Sequence, residues 1–401
     1  MSRYLPYSPD QGYLVPPRVD EVLEADHLCF FLHRVVERLD LGRFEQAYSA
    51  AGGMLYHPSL MLKVWLYAYA LGVTSSRRVE QRIREDLAFR YLAGNARPDY
   101  WALNAFRRRH GRAINDCFTQ VVEMARGLGL RQLGTVAIDA TRIKASASPD
   151  KVVKIARGER ARTRVKVRRW QQACDADDPN ENAGSGVGAA IEAVEQADLS
   201  RELTPLPRPR KGVLRQSATD PDARFLHARG GRFVLGYTGE IAVSEDHLIV
   251  AQRVTRQSND NASLVPMVEL VKTSCGSPPE RVVADSGYYS NHNTEQMEAL
   301  GIEAYVPDSN LARELNLGHK ADDVRCHDPR LRRMREKMRS EQGRHLYRKR
   351  RSIVEPVFGV LKQQRNLREF RLRSLDKVAI EFALAATAYN LTRIHRIHPT
   401  R

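Results

Sequence analysis

The amino-acid sequence predicts an α/β protein in which an all-helical N-terminal part precedes a mixed sheet flanked by helices. Three observations predict it. Apolar residues recur at helical spacing from residue 20 to about 130. From residue 134 onward, short apolar runs alternate with amphipathic segments in the order β, insertion, β, β, α, β, α, β, α, which describes a central mixed sheet with helical layers. After the first strand the composition turns basic and then rich in Gly, Ser and Pro, as in a flexible insertion. The chain has 401 residues, 42% of them hydrophobic, enough for two domains with real cores. We place the first domain at 1–130 and the second at 131–401, interrupted by the insertion at about 145–232.

Each element has a local reason. "DHLCFFLHRVVERL" and "HPSLMLKVWLYAYALGV" carry apolar faces of helical period, "SSRRVEQRIREDLAFRYLAG" opens on a Ser cap, and "NAFRRRHGRAINDCFTQVVEMARGLGL" closes the block. Short helices with exposed Arg suit a helix-turn-helix-like DNA-binding bundle. A plain structural bundle has the same periodicity, which alone does not choose. Gly134 ends the helical block, and Val136, Ala137 and Ile138 form a short buried strand closed by Asp139. Strands resume in "GRFVLGYTGEIAVSEDHLIVAQRVTR", with a hairpin turn at Ser244–His247. A helix fits "ASLVPMVELVKTSC", and "ERVVADSGYYS" repeats the pattern of a short strand ending in Asp, here Asp285. A helix at "NTEQMEALG", a strand at "IEAYVPD" and a basic loop, "LRRMREKMRSEQGR", lead to a final helix at "RRSIVEPVFGVLKQQRN".

Charge narrows the function. Lys and Arg total 64 against 48 Asp and Glu, a formal net charge of +16, which suggests a polyanionic partner, nucleic acid first and an anionic membrane second. No apolar run reaches membrane-spanning length, and the first 25 residues lack the apolar stretch of a signal peptide. The five cysteines, at 29, 117, 174, 275 and 326, form no Cys-x-x-Cys pair, which argues for a reducing compartment without disulfides or zinc. Between Arg142 and Trp170, eleven Lys or Arg face two acids, Asp150 and Glu159. Such a run is either a solvated tail or a phosphate-binding segment, and the net charge favours the second.

Three carboxylates stand out. Asp139 and Asp285 each close an apolar strand, and Glu355 lies on the helix after the last strand. Singly, each Asp reads as a turn former or helix cap, and Glu355 as half of an i,i+4 ion pair with Arg351. Together, strand ends and the adjacent helix converge on one rim of an α/β sheet. Converging carboxylates need a cation, and hard oxygen ligands with room for water favour Mg²⁺. Two such ions about 3.5–4 Å apart would act on a phosphodiester. In the last helix Ile353, Val354, Val357 and Leu361 form an apolar stripe, with Glu355 roughly opposite and Arg351 and Lys362 within about 40° of it. Pro356 removes an intrahelical bond, which places Glu355 at a helix start with Pro356 at the first position.

The chain resembles the bacterial insertion-sequence transposases of the DDE class, closest to the IS5/IS1182-type group of the IS4-like superfamily. The N-terminal resemblance is carried by "YHPSLMLKVWLYAYALGVTSSRRVE" and "ARPDYWALNAFRRRH". The core resemblance is carried by "VAIDATRIKASAS", "TDPDARF", "GYTGEIAV", "SNDNASLVPMVE", "VVADSGYYS" and "YRKRRSIVEPVFGVLK". It implies a ribonuclease-H-like catalytic core, with the acidic triad on Asp139, Asp285 and Glu355 as catalytic residues and ligands of a two-ion Mg²⁺ site in which Mn²⁺ can substitute. The family's signature around the third acid is Tyr, two residues, Arg, three residues, Glu, six residues, Lys. Arg351, Glu355 and Lys362 match it, whereas Tyr347 lies one residue too far from Arg351 and pairs in spacing with Arg350 instead.

The resemblance implies a transposase that binds the terminal inverted repeats through its helical region, nicks the element ends and joins the freed 3′-hydroxyl to target DNA. Double-stranded DNA is the implied partner, contacted by Tyr347, Arg350, Arg351 and Lys362 and by Arg142, Lys144, Arg162, Arg164, Arg168 and Arg169 of the basic run. Synapsis of two ends implies a homodimer or higher oligomer, in the cytoplasm at the bacterial nucleoid and away from any membrane. Two other readings stay open: a metal-dependent nuclease of the same fold that joins nothing, and an inactive relic that only binds DNA. The presence of all three acids argues against the relic.

Overall fold

The computed structural model describes residues 18–49, 56–130, 133–149, 151–155, 214–227, 233–318 and 328–398. The helical part comprises α1 (Val19–Val22), α2 (Leu28–Val36), α3 (Gly42–Ser49), α4 (Pro58–Ala70), α5 (Ser76–Glu85), α6 (Leu87–Leu92), α7 (Tyr100–Arg109) and α8 (Gly111–Gly127). Then come β1 (Thr135–Lys144), β2 (Val152–Ile155), β3 (Leu214–Ser217), β4 (Arg224–His227), β5 (Phe233–Ser244), β6 (Ile249–Thr255) and α9 (Leu264–Cys275). β7 (Arg281–Val283), α10 (Asn291–Ala299), β8 (Glu303–Tyr305), α11 (Ser309–Leu317), α12 (Pro329–Arg339), α13 (Glu341–Gly359) and α14 (Leu375–Ile397) complete the order.

The helical part is organised around α4. Its residues are apolar nearly all round, so it is buried on every side, and Pro58 occupies its first turn, where a missing N–H costs nothing. The indole of Trp65 donates to the carbonyl of Leu103 at 2.9 Å, and Arg107 lies over the Trp65 ring at 4.4 Å while donating to Tyr69 and the Thr74 carbonyl. Asp86 and Asp99 cap α6 and α7. Ser75 stands at the start of α5 as expected, but its side chain makes no capping bond.

The main sheet has the order β4-β5-β1-β7-β8, with β6 also on β5. β5 is long enough to pair with β1 along one edge and with β4 and then β6 along the other, all antiparallel. β1 pairs in parallel with β7, and β7 in parallel with β8, so the sheet is mixed. The hairpin turn falls at Ser244–His247, where His247 adopts a positive φ of 60°. β2 and β3 form a separate two-stranded ribbon at the edges of the basic insertion; Arg162, Arg164, Arg168 and Arg169 lie outside the described residues, as do Cys174 and Cys326. Cys29, Cys117 and Cys275 are buried thiols. Among the described residues no helix is long and apolar enough to cross a membrane.

Four expectations are corrected. β1 does not end at Asp139 but runs to Lys144, because β5 pairs with it as far as Gly236. Arg142 and Lys144, read as the start of the basic run, are therefore residues of β1. The basic segment before the last core helix is helical: Asp328 caps α12, Pro329 sits in its first turn, and Met334, Arg335 and Met338 are buried. α13 passes through Pro356 without restarting; Ser352 and Pro356 are both exposed, so the carbonyl freed by proline is open to solvent. A π turn at Val360–Gln364 follows directly.

α14 joins the two parts. It packs on α2, α4, α7 and α8 on one side and on β6 on the other, and one continuous apolar core results. Where it meets the edge strand β6, the Asn390 side chain accepts from the Ile249 N–H at 2.9 Å and donates to its carbonyl at 2.8 Å, taking the place of a neighbouring strand. Phe382, fully buried, fills the space beside Gly239, where any Cβ would come within 2.9 Å of its ring. Phe382→Ala is expected to cost about 3–5 kcal/mol, read as a lower urea midpoint for helix and sheet signals together.

Candidate active site

The geometry of the site follows from the pairing of β1 with β7. Ala137 is level with Val283, and two residues further along each chain stand Asp139 and Asp285. Because the strands are parallel, the two carboxylates leave the sheet side by side. Asp139 is in mid-strand with one oxygen accepting from the Ala140 N–H at 2.8 Å and the other from Arg350 at 3.2 Å. Asp285 begins the 3₁₀ turn Ser286–Tyr288 and accepts from the Gly287 N–H at 2.9 Å.

A third acid lies beside them. Asp260 precedes the short turn Asn261–Ser263 that opens α9, and Arg142 of β1 grips its Oδ1 with both terminal nitrogens at 3.1 Å. Asp285 and Asp260 approach across Gly287: a Cβ there would stand 3.0 Å from Asp285 Oδ1 and 3.5 Å from Asp260 Oδ2. The two loops are stapled together. Asn261 donates to the Tyr289 carbonyl at 2.9 Å, and Asn293 donates to the carbonyls of Asn261 and Tyr288 at 2.6 and 2.8 Å. Behind Asp260, fully buried Glu240 of β5 is satisfied by Arg253 at 2.8 Å and by the Ser263 hydroxyl at 2.6 Å.

The electrostatics follow from burial. Asp139 is pushed up to about 6 by burial, opposed by Arg350, and raised further by its neighbours Asp285 and Asp260. Asp260 is likewise raised by burial, against the pull of Arg142, with Asp285 and Glu240 adding to the rise. Tyr288 is fully buried and its hydroxyl has no hydrogen-bond partner; burial, then Asp260, Glu240, Asp139 and Asp285, hold its ionisation far above the ordinary range.

The residues singled out on the last core helix divide between two faces of α13. Tyr347, Arg350, Ile353, Val354 and Val357 form its buried face, which lies across β1 and β7. Tyr347 is packed in the core with the Arg350 guanidinium 5.7 Å from its ring, so both side chains face the sheet and not solvent. Glu355 and Arg351 are exposed on the other face, and Arg351 donates to Asn316 at 2.7 Å. At ~100° per residue, Glu355 points about 140° away from Arg350. The structure thus brings Asp139 and Asp285 together and leaves Glu355 turned outward. Among the described residues no three His, Cys, Asp or Glu side chains are gathered closely enough to hold one ion. Lys362, in the π turn, is half-buried and donates to the Arg142 carbonyl at 3.1 Å, three residues along β1 from Asp139. Lys144, about half exposed, pairs loosely with Glu369 at 3.8 Å.

Two polar side chains beside the aspartates, Asp260 and Tyr288, went unread in sequence, since "SNDNAS" looks like a loop and Tyr288 like an apolar anchor. The one available signal was their place in segments shared with the transposase resemblance. The Asp139–Asp285 pair suits a divalent cation: hard oxygen donors, half-satisfied by protein, beside a buried hydroxyl with no acceptor.

Residues 203–391 match the family described as the transposase DDE domain, and residues 17–109 match the family described as a transposase domain, DUF772. The first match contains Asp260, Asp285, Glu355 and Lys362; Asp139 stands between the two. No curated protein and no solved structure matches the chain.

Folding raises the affinity of Asp139 for a proton, so its ionised form is a cost that is absent below about pH 4 and complete above about 6. Asp139→Asn in metal-free protein is therefore expected to raise stability at pH 7 by about 1–3 kcal/mol. The gain should shrink to nothing as the pH falls to 4 in urea titrations.

Proposed function

Because the chain belongs to the DDE transposases, with the pair of domains typical of the IS1182-type insertion-sequence enzymes, we propose that it cleaves element ends and joins them to target DNA with a divalent cation. The observation that carries this is the parallel pairing of β1 and β7, which brings Asp139 of β1 near Asp285, two residues past the end of β7. A sheet holding two acids in this way is the ribonuclease-H-like arrangement that the DDE domain implies.

Magnesium, or manganese in its place, would be held by Asp139 and Asp285, and when bound it supplies the Lewis acidity that activates a water or 3′-hydroxyl and stabilises the leaving oxygen. The chain's own groups do the rest. Arg350 holds the Asp139 carboxylate in one orientation from the buried face of α13. Lys362 presents an ammonium beside the same strand, in position to pair with a phosphate next to the scissile bond. Arg351 lies on the exposed face with Glu355, where DNA passing over α13 would meet both. Glu355 is assigned to the acidic triad by the transposase resemblance alone, since it lies on the exposed face of α13, away from the aspartates. In the helical part, α5 offers exposed Arg77, Arg78 and Arg82 over a buried edge of Val79 and Ile83, which supports end recognition there. Arg162, Arg164, Arg168 and Arg169 add contacts to phosphate, which fix position without reading sequence. Pairing two ends requires at least two copies of the chain.

The deciding experiment uses labelled element ends, intact and precut. Asp139→Asn should abolish cleavage and joining while end binding persists; equal loss of binding would mean a folding role for Asp139. Joined product separates a transposase from a nuclease of the same fold, and metal-dependent cleavage separates both from a DNA-binding relic.

Glu355 gives a sharper test. Being exposed, Glu355→Gln should change metal-free stability by less than about 0.5 kcal/mol and still remove cleavage. Wild-type cleavage by that variant would end its assignment to the triad. Replacing Arg162, Arg164, Arg168 and Arg169 by Ala should weaken binding to every DNA sequence alike, lowering the slope of log K against log salt by about 0.9 per lost contact. An unchanged slope would place that segment away from the DNA.

A further inference from the structure

We propose that Asp260 and Tyr288 are positioning residues of the same centre, holding the water shell of the divalent cation that Asp139 and Asp285 bind. This rests on the divalent-cation reading above and adds to it two residues outside the acidic triad.

The first observation is the Tyr288 hydroxyl. It is fully buried, it donates to nothing, and its charged neighbours are Asp260, Glu240, Asp139 and Asp285. A buried hydroxyl without a partner is unfavourable, and an ordered water between it and the neighbouring carboxylates would satisfy it. The second observation is the asymmetry of Asp260. Arg142 takes its Oδ1 at 3.1 Å from two nitrogens, whereas Oδ2 is only 3.5 Å from the nearer one. That second oxygen lies 3.5 Å, and Asp285 Oδ1 3.0 Å, from where a Cβ at Gly287 would stand.

The third observation is rigidity. Asn293 and Asn261 tie the Asp260 loop to the Asp285 loop through three hydrogen bonds of 2.6–2.9 Å, so the two acids keep one spacing. That spacing does not let three carboxylates share an ion directly. Asp260 therefore acts through water. Magnesium suits such a centre because it binds through one or two carboxylates and keeps several waters that need orienting. Residues that orient the ligands of an ion commonly change its affinity ten- to a hundredfold.

The experiment titrates Mn²⁺ into the full chain without DNA and follows the free ion by electron paramagnetic resonance. Wild type is compared with Asp139→Asn, Asp260→Asn and Tyr288→Phe, and thermal unfolding is recorded with and without the ion. Asp260→Asn is expected to weaken Mn²⁺ binding by about tenfold or more, and Tyr288→Phe by roughly threefold or more. Tyr288→Phe removes one unpartnered atom, so metal-free unfolding should stay at or above the wild-type temperature while the Mn²⁺-induced rise becomes smaller. This variant carries the test if Asp260→Asn fails to fold. Wild-type Mn²⁺ affinity in Tyr288→Phe and in folded Asp260→Asn, with binding lost in Asp139→Asn, overturns the proposal and leaves the cation reading standing. Wild-type affinity in Asp139→Asn removes the cation reading and this proposal with it.

Discussion

Two carboxylates brought together by adjacent parallel strands, Asp139 within β1 and Asp285 just past the end of β7, repel, and the surrounding structure is arranged to keep them there. The spacing is set by backbone and not by charge. β1 is pinned by nine paired positions with β5, and its short parallel pairing with β7 fixes which residues stand level. Gly287 lets the Asp260 loop come close, and Asn293 holds that approach. Two guanidinium groups then offset part of the charge, Arg350 from above the sheet at Asp139 and Arg142 from within it at Asp260. Neither cation could create the arrangement. They offset the burial and the neighbouring acids only in part, which is why Asp139 is still pushed up to about 6.

What could be read from sequence was whatever depends on neighbours along the chain. The Ser244–His247 hairpin, the strand before Asp285 and the helix at Leu264–Cys275 follow from apolar runs and turn residues a few positions apart. The length of β1 did not, because beyond Ile138 its residues alternate with polar ones as the strand passes the site. α12 was hidden by its charge: Arg335 looks solvated, yet it is buried on Asp308 at 2.8 Å. Asp260 had no mark beyond its place in a segment that carries the transposase resemblance. Its meaning comes from Gly287 and Arg142, which lie far from it in sequence.

The last core helix shows the same limit from the other side. The apolar stripe of Ile353, Val354 and Val357 was evident, and it does face the sheet. A stripe fixes the rotation of a helix, and rotation decides which charged residues look inward. Arg350 continues the stripe and so reaches Asp139, while Glu355, five residues on, is carried round to the exposed side. Pro356 and the π turn leave this stretch with fewer regular backbone bonds than the rest of the helix.

The position of α14 in the chain has a consequence in time. The helices that it covers, α4 and α8, leave the ribosome long before it does. At ordinary elongation rates the interval from Gly127 to Leu375 takes on the order of ten to fifty seconds. Throughout that interval the apolar flank of the helical part has no cover, and the catalytic sheet lacks the support that Asn390 gives to its edge. Neither part can finish early. The packing of the helical part and that of the sheet are therefore completed in one late step, and a ribosome that stops short of α14 releases a chain in which both are left open.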